Sequence, residues 1–178
     1  MSQLLTIYSS KNDVFSPSQC TELYEIMRDA YARTEVEIWG ENYVRLPEHE
    51  FQKLIDDEVI LGAALNGQLV GTLYLKKVNA QESSFGLLGV HSSAEGKGIG
   101  SKLIEVAENQ ARLDGSDYMV IDILRPRDFQ MPGKNRLRTW YEKMGYEYTY
   151  SENFQDRRPD RAVDLKVPSV FDCFRKKL

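Results

Sequence analysis

The run Leu87-Leu88-Gly89-Val90-His91, then Ser92 to Glu95, then Gly96-Lys97-Gly98-Ile99-Gly100-Ser101 decides how this chain is read. An apolar strand feeds a turn with glycine at alternate positions, and a helix opens at its end. Glycine lets a backbone approach a ligand closely, and the first turn of a helix offers N–H groups without intrahelical acceptors. With the helix dipole these features make a site suited to phosphate. Two phosphate loops are excluded by spacing. GxxxxGK[ST] fails because Ser101 separates Gly100 from Lys102, and GxGxxG fails because Gly98-Ile99-Gly100 runs on into Ser101-Lys102-Leu103. The turn alone is also compatible with a tight strand-to-helix connection that holds no ligand.

Working outward, Ser101 to Asp114 reads as a helix with Leu103, Ile104, Ala107 and Ala111 on its inner face. Upstream, the apolar runs Val59–Leu65 and Leu69–Val78 flank Asn66-Gly67, a hairpin signal, and a further strand spans Ser84–Val90. Downstream, Tyr118–Leu124 is an apolar strand broken only by Asp122, and Arg125–Lys134 is a polar loop with two prolines. Asn135–Met144 is a helix ended by Gly145, and Tyr146–Ser151 and Val170–Lys176 are the last strands. Asp156–Asp160, between them, reads as a solvated charged loop, with Arg157, Arg158 and Arg161 interleaved with acids. Toward the N-terminus, Leu4–Tyr8 is a short strand, and Ser16-Pro17-Ser18-Gln19 opens a helix with a capping box. Trp39–Pro47 is irregular and Pro47–Ile55 a shorter helix. Early hairpin strands followed by strand–helix alternation predict an α+β domain around one central sheet.

The turn and a second segment resemble the GNAT superfamily of N-acetyltransferases. Glu95-Gly96-Lys97-Gly98-Ile99-Gly100 matches its Q/R-x-x-G-x-G/A signature after the fourth strand. Asn135, with Thr139-Trp140-Tyr141-Glu142-Lys143-Met144-Gly145-Tyr146, looks like the family's N…FYEKLGF segment. The resemblance implies a mixed, mostly antiparallel central sheet flanked by helices. It implies one domain over residues 1–178, with a signature core at about 59–150 and a variable acceptor-side region at about 16–56.

It also implies acetyl-coenzyme A as co-substrate. The amides of Gly96, Gly98, Ile99 and Gly100, within a Glu95-to-Ser101 turn that includes Lys97, would hold the pyrophosphate. Leu88, Gly89 and Val90 would present the backbone that pairs with the pantetheine arm and polarises the thioester carbonyl. Asn135 would bond the cofactor arm, and Tyr141 would protonate the departing thiolate. One position departs from the pattern: Glu95 stands where Gln or Arg is usual. A carboxylate there weakens phosphate binding unless it faces solvent or pairs with Lys97.

The base is left open. Asp122, an acid inside an apolar strand, is a candidate because burial shifts carboxyl pKa values, and so is a structural pairing of Asp122 with a neighbouring arginine. Glu82, Glu35, Glu37 or water are the others. Trp39 and Tyr43 are candidates to line the acceptor pocket or to serve as ordinary core.

The 178 residues are about two-fifths apolar, as in an ordinary globular domain, and the net charge of −4 argues against a duplex nucleic-acid binder. Cys20 and Cys173 are far apart and read as buried thiols, which suits a reducing cytoplasm. Met1–Ser9 has neither a charged leader nor a long apolar run, and no segment reads as a membrane helix. His49 and His91 have no ligand cluster around them, so no metal is expected, and His91 reads as a polar cap of the signature turn. The function expected is direct acetyl transfer to an amine, most simply that of a small molecule, by a monomer or homodimer. A terminal or lysine amine of a protein is the alternative acceptor, and a non-catalytic acyl-coenzyme A-binding module the alternative class.

Overall fold

The computed structural model describes residues 3–178, so the first two residues of the segment read for a leader lie outside it. The helix and strand signals appear where local chemistry places them. Strand β1 (Leu5–Ser9) is followed by α1 (Pro17–Thr34), whose capping box is complete: Gln19 N donates to Ser16 Oγ at 3.2 Å and Ser16 N to Gln19 Oε1 at 2.8 Å. One turn of helix, α2 (Val36–Trp39), precedes α3 (Glu48–Asp56). Strands β2 (Ile60–Leu65) and β3 (Gln68–Lys77) form the expected hairpin, with Asn66 and Gly67 both at positive φ, 51° and 85°. Then come β4 (Glu82–Val90), a 3₁₀ turn (Ser92–Ala94), α4 (Ile99–Leu113) and β5 (Tyr118–Pro126).

Helix α5 (Pro132–Lys143) begins three residues before the expected Asn135, because Pro132 is set for the first helical position. After β6 (Glu147–Asn153), the segment expected as a solvated loop is instead two single turns, α6 (Phe154–Arg157) and α7 (Pro159–Ala162), leading to β7 (Ser169–Lys177). Phe154 is buried, which draws this segment onto the sheet and carries Arg157 and Arg161 inward with it.

The seven strands lie in the order β1-β2-β3-β4-β5-β7-β6, antiparallel except for β4 with β5. Apolar residues cover both faces. Leu103, Ile104, Ala107 and Ala111 of α4 pack with Ala63, Leu73 and Tyr141 on one face, and Leu23 and Met27 of α1 pack with Phe51 and Ile60 on the other. Each such side chain removed from water contributes about 1.5–3 kcal/mol. A third cluster, Ile38, Trp39, Leu124, Phe154 and Phe171, closes the β5 end. Among the described residues no helix is long and apolar enough to cross a membrane. Both cysteines are buried free thiols, as expected.

Candidate active site

Two irregularities in the sheet make the site. The first lies in β4, where Thr72 of β3 faces Gly89 but Tyr74 faces Gly86, so β4 carries an extra residue. Leu87 takes φ 50° there, and the resulting bulge turns Leu87 and Leu88 into a cavity. The second is the short parallel pairing of β4 with β5, which stops at Ser84 opposite Val120. Beyond it the two strands part, and Phe85 to Val90 show β5 a strand edge with no partner strand. Unpaired strand backbone is a template for an extended, amide-bearing ligand.

That edge runs to the glycine turn. Gly96 and Gly98 take φ 76° and 78°, a left-handed conformation that glycine adopts without Cβ strain, and a Cβ on either would meet nothing within 4 Å. The cradle is therefore open, and Gly98 is the N-cap of α4. The amides of Ile99, Gly100 and Ser101 open that helix and have no carbonyl four residues back within it. Lys97 and Ser101 are exposed beside them, while the Ile99 side chain is buried and only its amide is available. His91 Nδ1 accepts from Ser93 N at 3.1 Å, so it caps the turn as expected.

Glu95 faces solvent, one of its two expected placements, but its partner is not Lys97. Its Oε1 lies 2.9 Å from Arg33 Nη2 at the end of α1, and the same nitrogen donates to Val90 O at 2.7 Å. A cation from another element thus stands beside the turn at the carboxylate's own position.

The cavity, about 650 Å³, opens where β4 and β5 diverge. Tyr141 lines it, 6% exposed, with its ring packed against Phe85, Trp140 and Tyr146. Burial, and the neighbouring phenol of Tyr31, hold its pKa well above the ordinary value. Tyr31, from α1, has its pKa pushed up to about 12, by burial first, against the pull of Arg45. Both phenols stay protonated at neutral pH.

Leu88 and Tyr141 thus share the cavity, but the other expected residues are distributed differently. Asn135 is exposed on the first turn of α5 and its amide donates to Gln130 Oε1 at 3.0 Å, outside the cavity lining. Gly89 is buried with its Cα facing α1, where a Cβ would lie 3.2 Å from Met27 Cα. Asp122 reaches the cavity, yet the buried acid inferred from its apolar strand is 39% exposed and held by Arg157 Nη1 at 2.6 Å. Its strand alternates, and position 122 falls on the face open to the cavity. Trp39 lines the cavity as well, with Tyr43 stacked behind it at 4.6 Å.

The deepest charge on the cavity wall is Glu35. Only 2% exposed, it accepts from Arg45 Nη1 at 2.5 Å, Lys134 Nζ at 2.6 Å and Trp39 Nε1 at 3.2 Å. Burial pushes its carboxyl up, but the two cations and their hydrogen bonds outweigh it, so the pKa lies below the ordinary range. Arg45, Lys134, Arg157 and Arg161 were not singled out from the sequence as site residues, since nothing periodic links them to Glu35 or Asp122. Among the described residues no group of three or more His, Cys, Asp or Glu side chains is placed to hold a metal ion.

The fold is widely shared. It superposes on a GNAT family acetyltransferase from Elizabethkingia anophelis with acetyl-CoA bound, at TM-score 0.67, 13% identity and 98% coverage of each chain. A ribosomal-protein-alanine N-acetyltransferase from Brucella melitensis gives TM-score 0.67 and 16% identity over 97% of this chain and 99% of that one. Ard1 from Thermoplasma volcanium gives 0.66 and 16% over 98% and 99%. No curated protein matches the sequence significantly. The family model for the acetyltransferase (GNAT) domain matches residues 56–148, which is more than half of the chain and includes the β4 edge, the glycine turn and Tyr141. The chain belongs to the GNAT acetyltransferase family.

Proposed function

We propose that this protein transfers the acetyl group of acetyl-coenzyme A directly to the amine of a small molecule. The observation that carries this reading is the continuity of the site. The unpaired edge of β4 ends at an open glycine cradle and a helix N-terminus on one side, and at a cavity lined by Leu88 and Tyr141 on the other. An extended ligand with phosphates at one end and a reactive group at the other fits that path.

Acetyl-coenzyme A supplies the activated acetyl thioester. The amides at the start of α4 hold its pyrophosphate, and Arg33 adds a nearby positive charge. The free backbone of β4 lies along the pantetheine and directs N–H donors at the thioester carbonyl, where negative charge develops during attack. Tyr141 holds a proton at its phenolic oxygen, facing the cavity, and donates a hydrogen bond to the sulfur as the thiolate leaves.

Asp122 is not assigned the base, because Arg157 occupies its Oδ2. No cysteine of the described residues lines the cavity, so attack by the acceptor nitrogen itself is the simplest route. A walled cavity of about 650 Å³ suits a small acceptor better than a protein segment lying in an open groove.

The test is thiol release from acetyl-coenzyme A against a panel of small amines, free-N-terminus peptides and lysine peptides. Turnover with small amines supports the reading. Turnover restricted to peptides replaces it with a protein acetyltransferase, and coenzyme A binding without turnover on any acceptor replaces it with a binding module.

A further inference from the structure

The inner end of the cavity holds more positive charge than its own carboxylate can neutralise. Arg45 and Lys134 share one buried acid, Glu35, so the triad carries one uncompensated positive charge, with Glu35 and Lys134 nearly closed to solvent. Lys134 is 10% exposed and Arg45 27%. The Arg45 guanidinium lies over the Tyr31 ring at 4.5 Å. With one N–H spent on Glu35, it has further donors for a second acceptor. Arg161 backs the cluster, donating from Nη2 to Arg45 O at 2.7 Å and to Tyr43 Oη at 2.6 Å. Its nearest carboxylate, Asp164, is 3.9 Å away.

The remaining acids on the cavity wall do not supply the missing charge. Asp57 is 48% exposed and bound to Lys53, Asp122 is 39% exposed and bound to Arg157, and Glu50 is exposed and lies near Arg158. All three sit toward water, where charges are screened, whereas the triad does not. A buried cation without a counter-charge is costly, and a ligand anion that completes the set removes that cost.

Resting on the acetyl-transfer reading above, we propose that the acceptor is an amine carrying a carboxylate, an amino acid or a close relative, with the carboxylate bound by Arg45 and Lys134. Tyr31 fixes the spacing. Its ring carries Arg45, while its phenol neighbours the Leu88 backbone and Tyr141, where transfer takes place. The anion site and the reaction site are thus about one side chain apart, which matches an amine and a carboxylate separated by a few atoms. The planar guanidinium suits a carboxylate in particular.

The experiment measures thiol release from acetyl-coenzyme A with each of the common L-amino acids beside its own α-carboxamide. A hydrogen bond to a charged group typically changes affinity by about ten- to a hundredfold, so kcat/KM for the best acid form should exceed that of its carboxamide by that factor. The carboxamide's amine is the less basic and the more deprotonated at neutral pH, so the preference runs against chemical bias. Lys134→Gln should shrink the preference mainly by raising KM for the acid form. Arg45→Lys, which keeps the charge but loses the fork, should shrink it in part.

Should either variant fail to fold, the acid-to-carboxamide ratio of the unaltered protein decides the matter. Equal or better turnover of carboxamides, simple amines or peptides overturns the proposal while leaving acetyl transfer standing. If no acceptor turns over, thermal melts with coenzyme A present separate the two ideas. A rise in Tm with acid forms alone keeps the anion site and removes the transfer reading, and equal or absent shifts overturn the site too.

Discussion

Tyr141→Phe isolates one hydroxyl. The ring stays packed on Phe85, Trp140 and Tyr146, and among the described residues the hydroxyl has no protein hydrogen-bond partner to abandon. Folding stability should therefore change by less than about 1 kcal/mol. The effect on rate follows from the direction of the pKa shift. Burial lifts the phenol well above its ordinary value of about 10, whereas a thiol titrates near about 8.5. Complete proton transfer from Tyr141 to the thiolate therefore runs uphill and would leave a buried phenolate.

On the proposed function, Tyr141 should instead donate a hydrogen bond to an anion, a contribution of about 1.5–3 kcal/mol, or roughly ten- to 150-fold in kcat. That lies mostly below the roughly 100- to 10,000-fold range of full acid catalysis. Thiol release at saturating acetyl-coenzyme A, with single-turnover traces to show that chemistry limits the rate, reads it directly. Cofactor affinity should be unchanged. A variant within threefold of the parent would refute a role at the sulfur. A basic limb near pH 10, present in the parent and abolished by Tyr141→Phe, would refute the pKa argument, since a raised phenol stays protonated there.

Gly98→Val forces a β-branched residue into φ 78° at the mouth of the cradle, so the stabilisation of the fold by added coenzyme A should vanish; a variant that still shows it places the phosphates elsewhere. Glu95→Gln removes a carboxylate beside the phosphate site and leaves Arg33 on Val90 O, so coenzyme A should bind as tightly or tighter, most clearly at low salt. Arg33→Gln should weaken it, and a marked loss in Glu95→Gln alone would mean that the carboxylate makes a favourable contact of its own. Glu35 has a depressed folded pKa, so its contribution is fully present above the unfolded value of about 4.3 and lost as pH falls through the folded value. Denaturant melts from pH 7 down to pH 2 should show Glu35→Gln less stable than the parent at neutral pH, with the gap closing below about pH 4.3; a gap independent of pH would contradict the ion triad.

Local features were legible because their causes are local. The Ser16–Gln19 box, the Asn66-Gly67 hairpin and the strand–glycine–helix turn each depend on residues a few positions apart, and each stands where its spacing put it. The acceptor end was not legible. Glu35 meets Lys134 across 99 positions, Arg33 meets Glu95 across 62, and Asp122 meets Arg157 across 35. Such pairings leave no periodic trace, and of the interleaved charges at Asp156–Asp160, which do stay largely exposed, only Arg157 is drawn inward beside the buried Phe154. Asp122 pairs with an arginine, one of its two expected readings, but its burial was misread for a related reason. An apolar run resembles a strand covered on both sides, but Asp122 lies on the face where β4 has left β5 and the cavity begins.

These pairings also bear on how the acceptor ammonium loses its proton. Each carboxylate that the sequence offered as a base is engaged or displaced. Asp122 is held by Arg157, and Glu35 by two cations that depress its pKa. Glu82 sits at the opposite end of β4, within 3.4 Å of Arg175, and Glu37 is exposed and outside the cavity lining. Tyr31, with its phenol raised to about 12, and Tyr141, raised further, are proton holders at neutral pH. With the carboxylates engaged or outside the cavity and both phenols holding their protons, the acetyl-transfer reading sends the proton to solvent before the nitrogen reaches the thioester carbonyl. The rate should then track the fraction of acceptor already neutral, and the amine's own pKa governs the acidic limb.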